Sequence, residues 1–162
     1  MRAFLLTVVL FLSLSAVAMA QDVPSAEKRI APDFKLEDIN QNSYSLNSYR
    51  QKQPVLLFFW TTWCPFCQKE LAALKDTYPV LTSDGVEVLT IDVGESVDTV
   101  NRRLKKVNPA FKVLLDEDSE VSSSFQVLGV PTFILVDKKG AIIFQDNFFP
   151  KDYKELIKKS DG

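Results

Sequence analysis

Apolar and polar positions change period several times along this chain, and each change marks an element. Val55-Leu56-Leu57-Phe58-Phe59-Trp60 is an unbroken apolar run, the pattern of a central strand covered on both faces. After Trp63-Cys64-Pro65-Phe66-Cys67, the stretch Gln68-Lys69-Glu70-Leu71-Ala72-Ala73-Leu74 returns its apolar residues at helical spacing, so a buried strand turns into a helix at the two cysteines. The helix is expected to reach about Thr82, with Pro79 kinking or ending its regular part and Asp84-Gly85 closing it. Val86 to Asp92 reads as the next strand, and a strand-helix-strand unit of this kind is parallel and right-handed.

Upstream, Gln21 to Arg29 is a polar lead-in broken by Pro24, and Ile30-Ala31-Pro32-Asp33-Phe34 begins the ordered part. Lys35 to Glu37 and Ser43 to Ser45 form a small hairpin around Ile39-Asn40-Gln41-Asn42, followed by a short helical turn at Ser48-Tyr49-Arg50. Downstream of Val93-Gly94-Glu95, Ser96 can cap a helix to about Val107 that Asn108-Pro109 stops. Phe111 to Leu115 is a short strand and Ser119 to Phe125 a short helix. Phe133 to Val136 and Ala141 to Gln145 pair antiparallel around Asp137-Lys138-Lys139-Gly140, which makes the sheet mixed. Pro150 opens a last helix with Tyr153, Leu156 and Ile157 on one face. The expected class is α/β, a central mixed sheet flanked by helices.

The first twenty residues stand apart. Arg2, the apolar stretch Ala3 to Leu12 and the small-residue ending Ala18-Met19-Ala20 have the layout of a secretory signal, with an apolar core short for a membrane span. Residues 1–20 are thus read as a signal peptide, 21–29 as the lead-in and 30–162 as one domain. An uncleaved membrane anchor is the competing reading. A length of 162 residues, 46% hydrophobic and 25% charged, suits a single globular domain with a real core. Losing Arg2 removes one of 19 basic residues set against 21 acidic ones and leaves a net charge of −3, which argues against a nucleic-acid surface.

Only two cysteines are present, and both lie in the strand-to-helix turn. The opening of a helix has unpaired N–H groups and partial positive charge, which favour a thiolate on Cys64 and make it the expected nucleophile. Cys67, one turn on, can close a disulfide with Cys64 and points inward, which suits the resolving role. Pro65 falls in the first turn, where its missing N–H costs nothing. Two cysteines three apart can also make a purely structural disulfide. A zinc site is argued against by composition, since four ligands are needed and the chain has no histidine and no further cysteine. Export would place the pair in an oxidising compartment.

Trp63-Cys64-Pro65-Phe66-Cys67 and Gly129-Val130-Pro131-Thr132 together resemble the thioredoxin superfamily. Ala31-Pro32-Asp33-Phe34, the ending Val93-Gly94-Glu95-Ser96 and the extra helix and strand between Ser96 and Leu115 are most similar to the exported TlpA/ResA/CcmG-like thiol-disulfide oxidoreductases. The resemblance covers about Ile30 to Lys159. It implies a thioredoxin-like fold with a helix-strand insertion and an N-terminal β-hairpin. It also implies a cis Pro131 facing the cysteines, Val130 offering backbone hydrogen bonds to a substrate peptide, and Trp63, Pro65 and Phe66 as supporting or contact residues. Thioredoxin carries a buried acid where this chain has Phe58. Glu70 instead matches an acid of the ResA-like group, where a partly buried carboxyl with a raised pKa would exchange a proton with Cys67. A surface glutamate on an amphipathic helix is the alternative for Glu70. The chain departs from the superfamily at Asn147-Phe148-Phe149, where a glycine is common, so Phe148 or Phe149 is expected to shape a groove for the partner.

The function this implies is an exported protein dithiol-disulfide oxidoreductase that needs no cofactor and no metal. It would be periplasmic and act as a reductant of cysteine-containing exported proteins, apocytochrome c among them, with a membrane thiol-transfer protein as electron donor. An oxidase that introduces disulfides is the first rival. A thiol peroxidase is the second, because Ala31-Pro32-Asp33-Phe34 and Thr61 also look peroxiredoxin-like, although Leu57 stands where that family has proline. A copper chaperone of similar fold would need a histidine that is missing here.

Overall fold

In the computed structural model, which describes residues 29–161, all six side chains of β3 (Val55–Trp60) are buried. Their alternation divides the interior in two. Leu56, Phe58 and Trp60 face one core with Leu71, Leu74 and Leu81 of α1 (Pro65–Ser83). Leu57 and Phe59 face the other, with Phe34 and Phe125. A strand with two apolar faces must sit in the middle of a sheet, and β3 does.

β3 pairs in parallel with β4 (Glu87–Val93) and antiparallel with β6 (Thr132–Val136). β5 (Lys112–Asp116) lies parallel to β4 on its far side, and β1 (Lys35–Asp38) joins β5 antiparallel while pairing with β2 (Ser43–Ser45). With β7 (Ile142–Asp146) antiparallel to β6, the order across the sheet is β2-β1-β5-β4-β3-β6-β7. The expected α/β mixed sheet, helix-strand insertion and N-terminal hairpin are therefore all present. α1, α2 (Val97–Val107) and α4 (Tyr153–Asp161) contribute Val100, Leu104 and Tyr153, among others, to the β3 core that holds Phe58. α3 (Glu120–Ser124) contributes Val121 to the opposite core. Phe58 and Phe133, direct partners across β3 and β6, stack with centroids 4.4 Å apart.

Several expected boundaries move for local reasons. Pro79 does not end α1, which continues to Ser83, and the hydroxyls of Thr82 and Ser83 donate to carbonyls of the preceding turn. Ser96 stands at the N-cap of α2 without a capping bond from its side chain; the Val97 amide donates instead to Glu117 at 3.1 Å. Pro150 opens a turn and α4 starts only at Tyr153, whose amide donates to the Pro150 carbonyl at 3.1 Å. The signal segment Met1 to Ala20 and the lead-in up to residue 28 lie outside the described residues. Among those described, no helix is long and apolar enough to cross a membrane.

Candidate active site

The β3-α1 junction brings Cys64 to the N-cap of α1 and Pro65 to its first position. Proline suits that position because its φ is already helical and no N–H is lost. Cys64 and Cys67 are joined in a disulfide with their Cα atoms 5.2 Å apart. The Cys67 amide donates to Cys64 Sγ at 3.1 Å, so the helix end that would stabilise negative charge is already directed at this sulfur. Both cysteines are buried, Cys67 completely and Cys64 with 4% of its surface exposed, so Cys64 is the less enclosed of the two.

Across the site, the Val130–Pro131 peptide bond is cis. The Val130 carbonyl oxygen lies 3.8 Å from Cys64 Sγ, so the loop before β6 sits directly against the disulfide. Trp63, Phe66 and Phe148 surround the pair at 70%, 68% and 74% exposure, which is costly for large apolar side chains unless they have a partner. A groove of about 420 Å³ runs beside the pair, lined by Phe66, Glu70, Gly129, Val130, Pro131, Asn147 and Phe148.

The sequence reading of Phe148 and Phe149 separates here. Phe148 lines the groove, whereas Phe149 packs edge-on against Phe133 and Tyr153 at 5.8 and 6.2 Å. Exposure likewise rules out plain core packing for Trp63. Glu70 is half-buried on the groove wall, one turn beyond Cys67, and Lys69 beside it reaches over the Phe66 ring at 5.7 Å.

Three polar residues escaped the sequence reading. Asn147 donates to the Pro131 carbonyl at 2.6 Å and reaches Thr132 Oγ1 at 3.3 Å, holding the loop before β6 in place. Glu95 accepts from the Thr62 amide at 2.5 Å and from its hydroxyl at 2.6 Å, fixing the turn before Cys64. Asp92 is buried in β4, and burial, then the negative charge of Glu95, push its carboxyl up to about 8. The one signal in the sequence was an aspartate in the apolar second half of a strand, between Ile91 and Val93.

The model of the AhpC/TSA family matches residues 28–145. The chain belongs to this family. Among curated relatives, the thiol-disulfide oxidoreductase ResA of Geobacillus thermodenitrificans is 32% identical over 148 residues, covering 87% of this chain and 84% of that protein. ResA of Geobacillus kaustophilus is 35% identical over 112 residues, covering 69% of this chain and 64% of its own length. The matched part thus spans just under two thirds of one relative and most of the other. Among solved structures, the thioredoxin domain of a thiol-disulfide oxidoreductase from Bacteroides vulgatus superposes with a TM-score of 0.67 at 26% identity, covering 83% of this chain and 94% of that one. Within the AhpC/TSA family the chain therefore groups with thiol-disulfide oxidoreductases, and its fold is thioredoxin-like.

Proposed function

We propose that the chain is an exported protein thiol-disulfide oxidoreductase that reduces disulfides of cysteine-containing partners through Cys64 and Cys67. The observation that carries this reading is a disulfide at a helix N-terminus, with Cys64 less enclosed than Cys67, set against Val130 and beside an apolar groove. In the reduced enzyme, Cys64 as thiolate attacks one sulfur of the partner disulfide, forming a mixed disulfide and releasing the other partner sulfur as thiolate. Cys67 loses its proton and attacks Cys64 Sγ, which frees the second partner thiol and restores the Cys64–Cys67 disulfide. Two electrons pass from the enzyme to the partner, and a dithiol donor must return them. Glu70, on the groove wall, is the proposed acceptor of the Cys67 proton.

The likeness to ResA supports the reductive direction, with a membrane thiol-transfer protein as the donor and apocytochrome c cysteines as one substrate. Residues 1–20 support export to the periplasm. Trapping tests the reading: Cys67→Ala should stall as a mixed disulfide with its partner, and Cys64→Ala should trap nothing. If Cys67→Ala captures no cysteine-containing protein, the reading fails.

The peroxidase reading has its footing in Ala31-Pro32-Asp33-Phe34 and Thr61, which look peroxiredoxin-like. A resolving cysteine three residues from the first and Leu57 in place of proline weigh against it. Consumption of hydrogen peroxide by the reduced chain at a rate matching its disulfide exchange would favour the peroxidase. Between reductase and oxidase, a potential near about −270 mV supports the former and one near about −120 mV the latter.

A further inference from the structure

Asp92 is a buried carboxyl to which the disulfide chemistry assigns nothing. It has 0% exposure and lies opposite Trp60 in the parallel register of β3 and β4. Among the described residues, neither of its oxygens accepts a hydrogen bond from an N–H or O–H group. The charged groups acting on it are both acidic, Glu95 within hydrogen-bonding reach and Asp116 at the end of β5. Glu95 in turn accepts from both the amide and the hydroxyl of Thr62. The carbonyl of Thr62 is held from the other side by the Gln68 side chain of α1 at 3.0 Å, and the Cys64 amide closes the turn onto Thr61 at 3.4 Å.

A carboxyl fully buried beside a second acidic group ionises only at a large cost, so Asp92 keeps its proton. Glu95 already takes two donors, which suits a carboxylate, and Asp92 takes none, which suits an acid that donates. We propose that Asp92 is a positioning residue for the Cys64–Cys67 site: its neutral carboxyl donates to the Glu95 carboxylate, which grips Thr62 and thereby fixes the turn presenting Trp63 and Cys64. The consequence for cysteine chemistry rests on the redox reading above, whereas the linkage from Asp92 to Thr62 does not. Loss of the Asp92 proton sets two carboxylates against each other and drives Glu95 away from Thr62.

The test is the Thr62 amide resonance of the oxidised, 15N-labelled chain, followed from about pH 6 to about pH 9. In the wild type it should shift with a midpoint near 8, where Asp92 titrates. In Asp92→Asn, whose amide keeps a donor toward Glu95, it should hold its low-pH position throughout. Should that variant not fold, Glu95→Gln removes the same linkage and should abolish the same shift. A wild-type resonance that does not move, or one that moves identically in the folded variant, overturns the proposal. In the reduced chain, the alkylation rate of Cys64 by iodoacetamide should show a step near the same pH that Asp92→Asn loses, and an unchanged profile overturns the positioning role. Failure of the redox reading would look different: Cys67→Ala would trap no partner while the Thr62 titration persisted.

Discussion

The side-chain amide of Asn147 donates to the carbonyl of Pro131 at 2.6 Å, tying the end of β7 to the loop that faces the disulfide. Asn147 is exposed, so water competes for this bond and its contribution is modest, about 0.5–1 kcal/mol. Its effect on binding is expected to be larger than on folding, because the same loop carries Val130 beside Cys64. Asn147→Ala should lower the urea midpoint slightly and cut the yield of mixed disulfide in a Cys67→Ala background several-fold. An unchanged yield would mean that the loop holds its place without Asn147.

Phe148 and Phe149 are neighbours in sequence with opposite surroundings, and their alanine variants should differ accordingly. Phe149→Ala removes edge-on contacts with Phe133 and Tyr153 and is expected to cost about 2–4 kcal/mol in urea unfolding. Phe148→Ala removes an exposed groove residue and should leave the midpoint nearly unchanged while weakening capture of a partner. Equal effects of both variants on stability would contradict the separation seen here.

What the sequence made legible was whatever follows from period and from local chemistry. The unbroken apolar run of β3, the Pro65 start of α1 and the cysteine pair were all readable, because each depends on residues close together in the chain. The placement of β5 between β4 and β1 was not, since an edge hairpin joins a sheet by contacts over 70 residues away, as Glu37 does with Leu115. Glu95 and Asn147 were missed for a similar reason. Each acts on a turn distant in sequence, Thr62 and Pro131, and no spacing rule connects them. Pro79 does not end α1 because a proline removes only its own amide donor and presses on the carbonyl four residues back, and the amides after it can still continue the helix to Ser83.

Asp92 should also govern the pH dependence of stability. Its carboxyl ordinarily titrates at 3.8 and in the fold at about 8, so between these values the folded chain keeps a proton that the unfolded chain has released. The contribution is therefore complete below the lower value and is lost progressively until pH passes the upper one, at up to about 1.4 kcal/mol per pH unit. Asp92→Asn, which cannot ionise, should remove this slope, so that the variant gains on the wild type between pH 5 and pH 8 and the gain levels off above about pH 8. Urea midpoints at several pH values measure this directly, and parallel curves for the two chains would refute it.

The opposite sign is expected where α4 meets the end of α1. The Tyr153 hydroxyl donates to Asp84, the C-cap of α1, and Lys154 lies 2.9 Å from the same carboxylate. The Tyr153 hydroxyl first, then Lys154, hold the Asp84 carboxyl below its ordinary 3.8, so its contribution is present above that value and disappears as pH falls through the lowered one. Burial, then Asp84, push the Tyr153 phenol up to about 12, so it remains a donor across the whole working range. Tyr153→Phe keeps the ring packed against Phe149 and deletes only the donor. The variant should unfold at lower urea than the wild type at neutral pH, and the gap should close in acid as Asp84 becomes protonated in both chains. A gap of the same size at acid and neutral pH would show that the hydroxyl acts through packing rather than through the Asp84 charge.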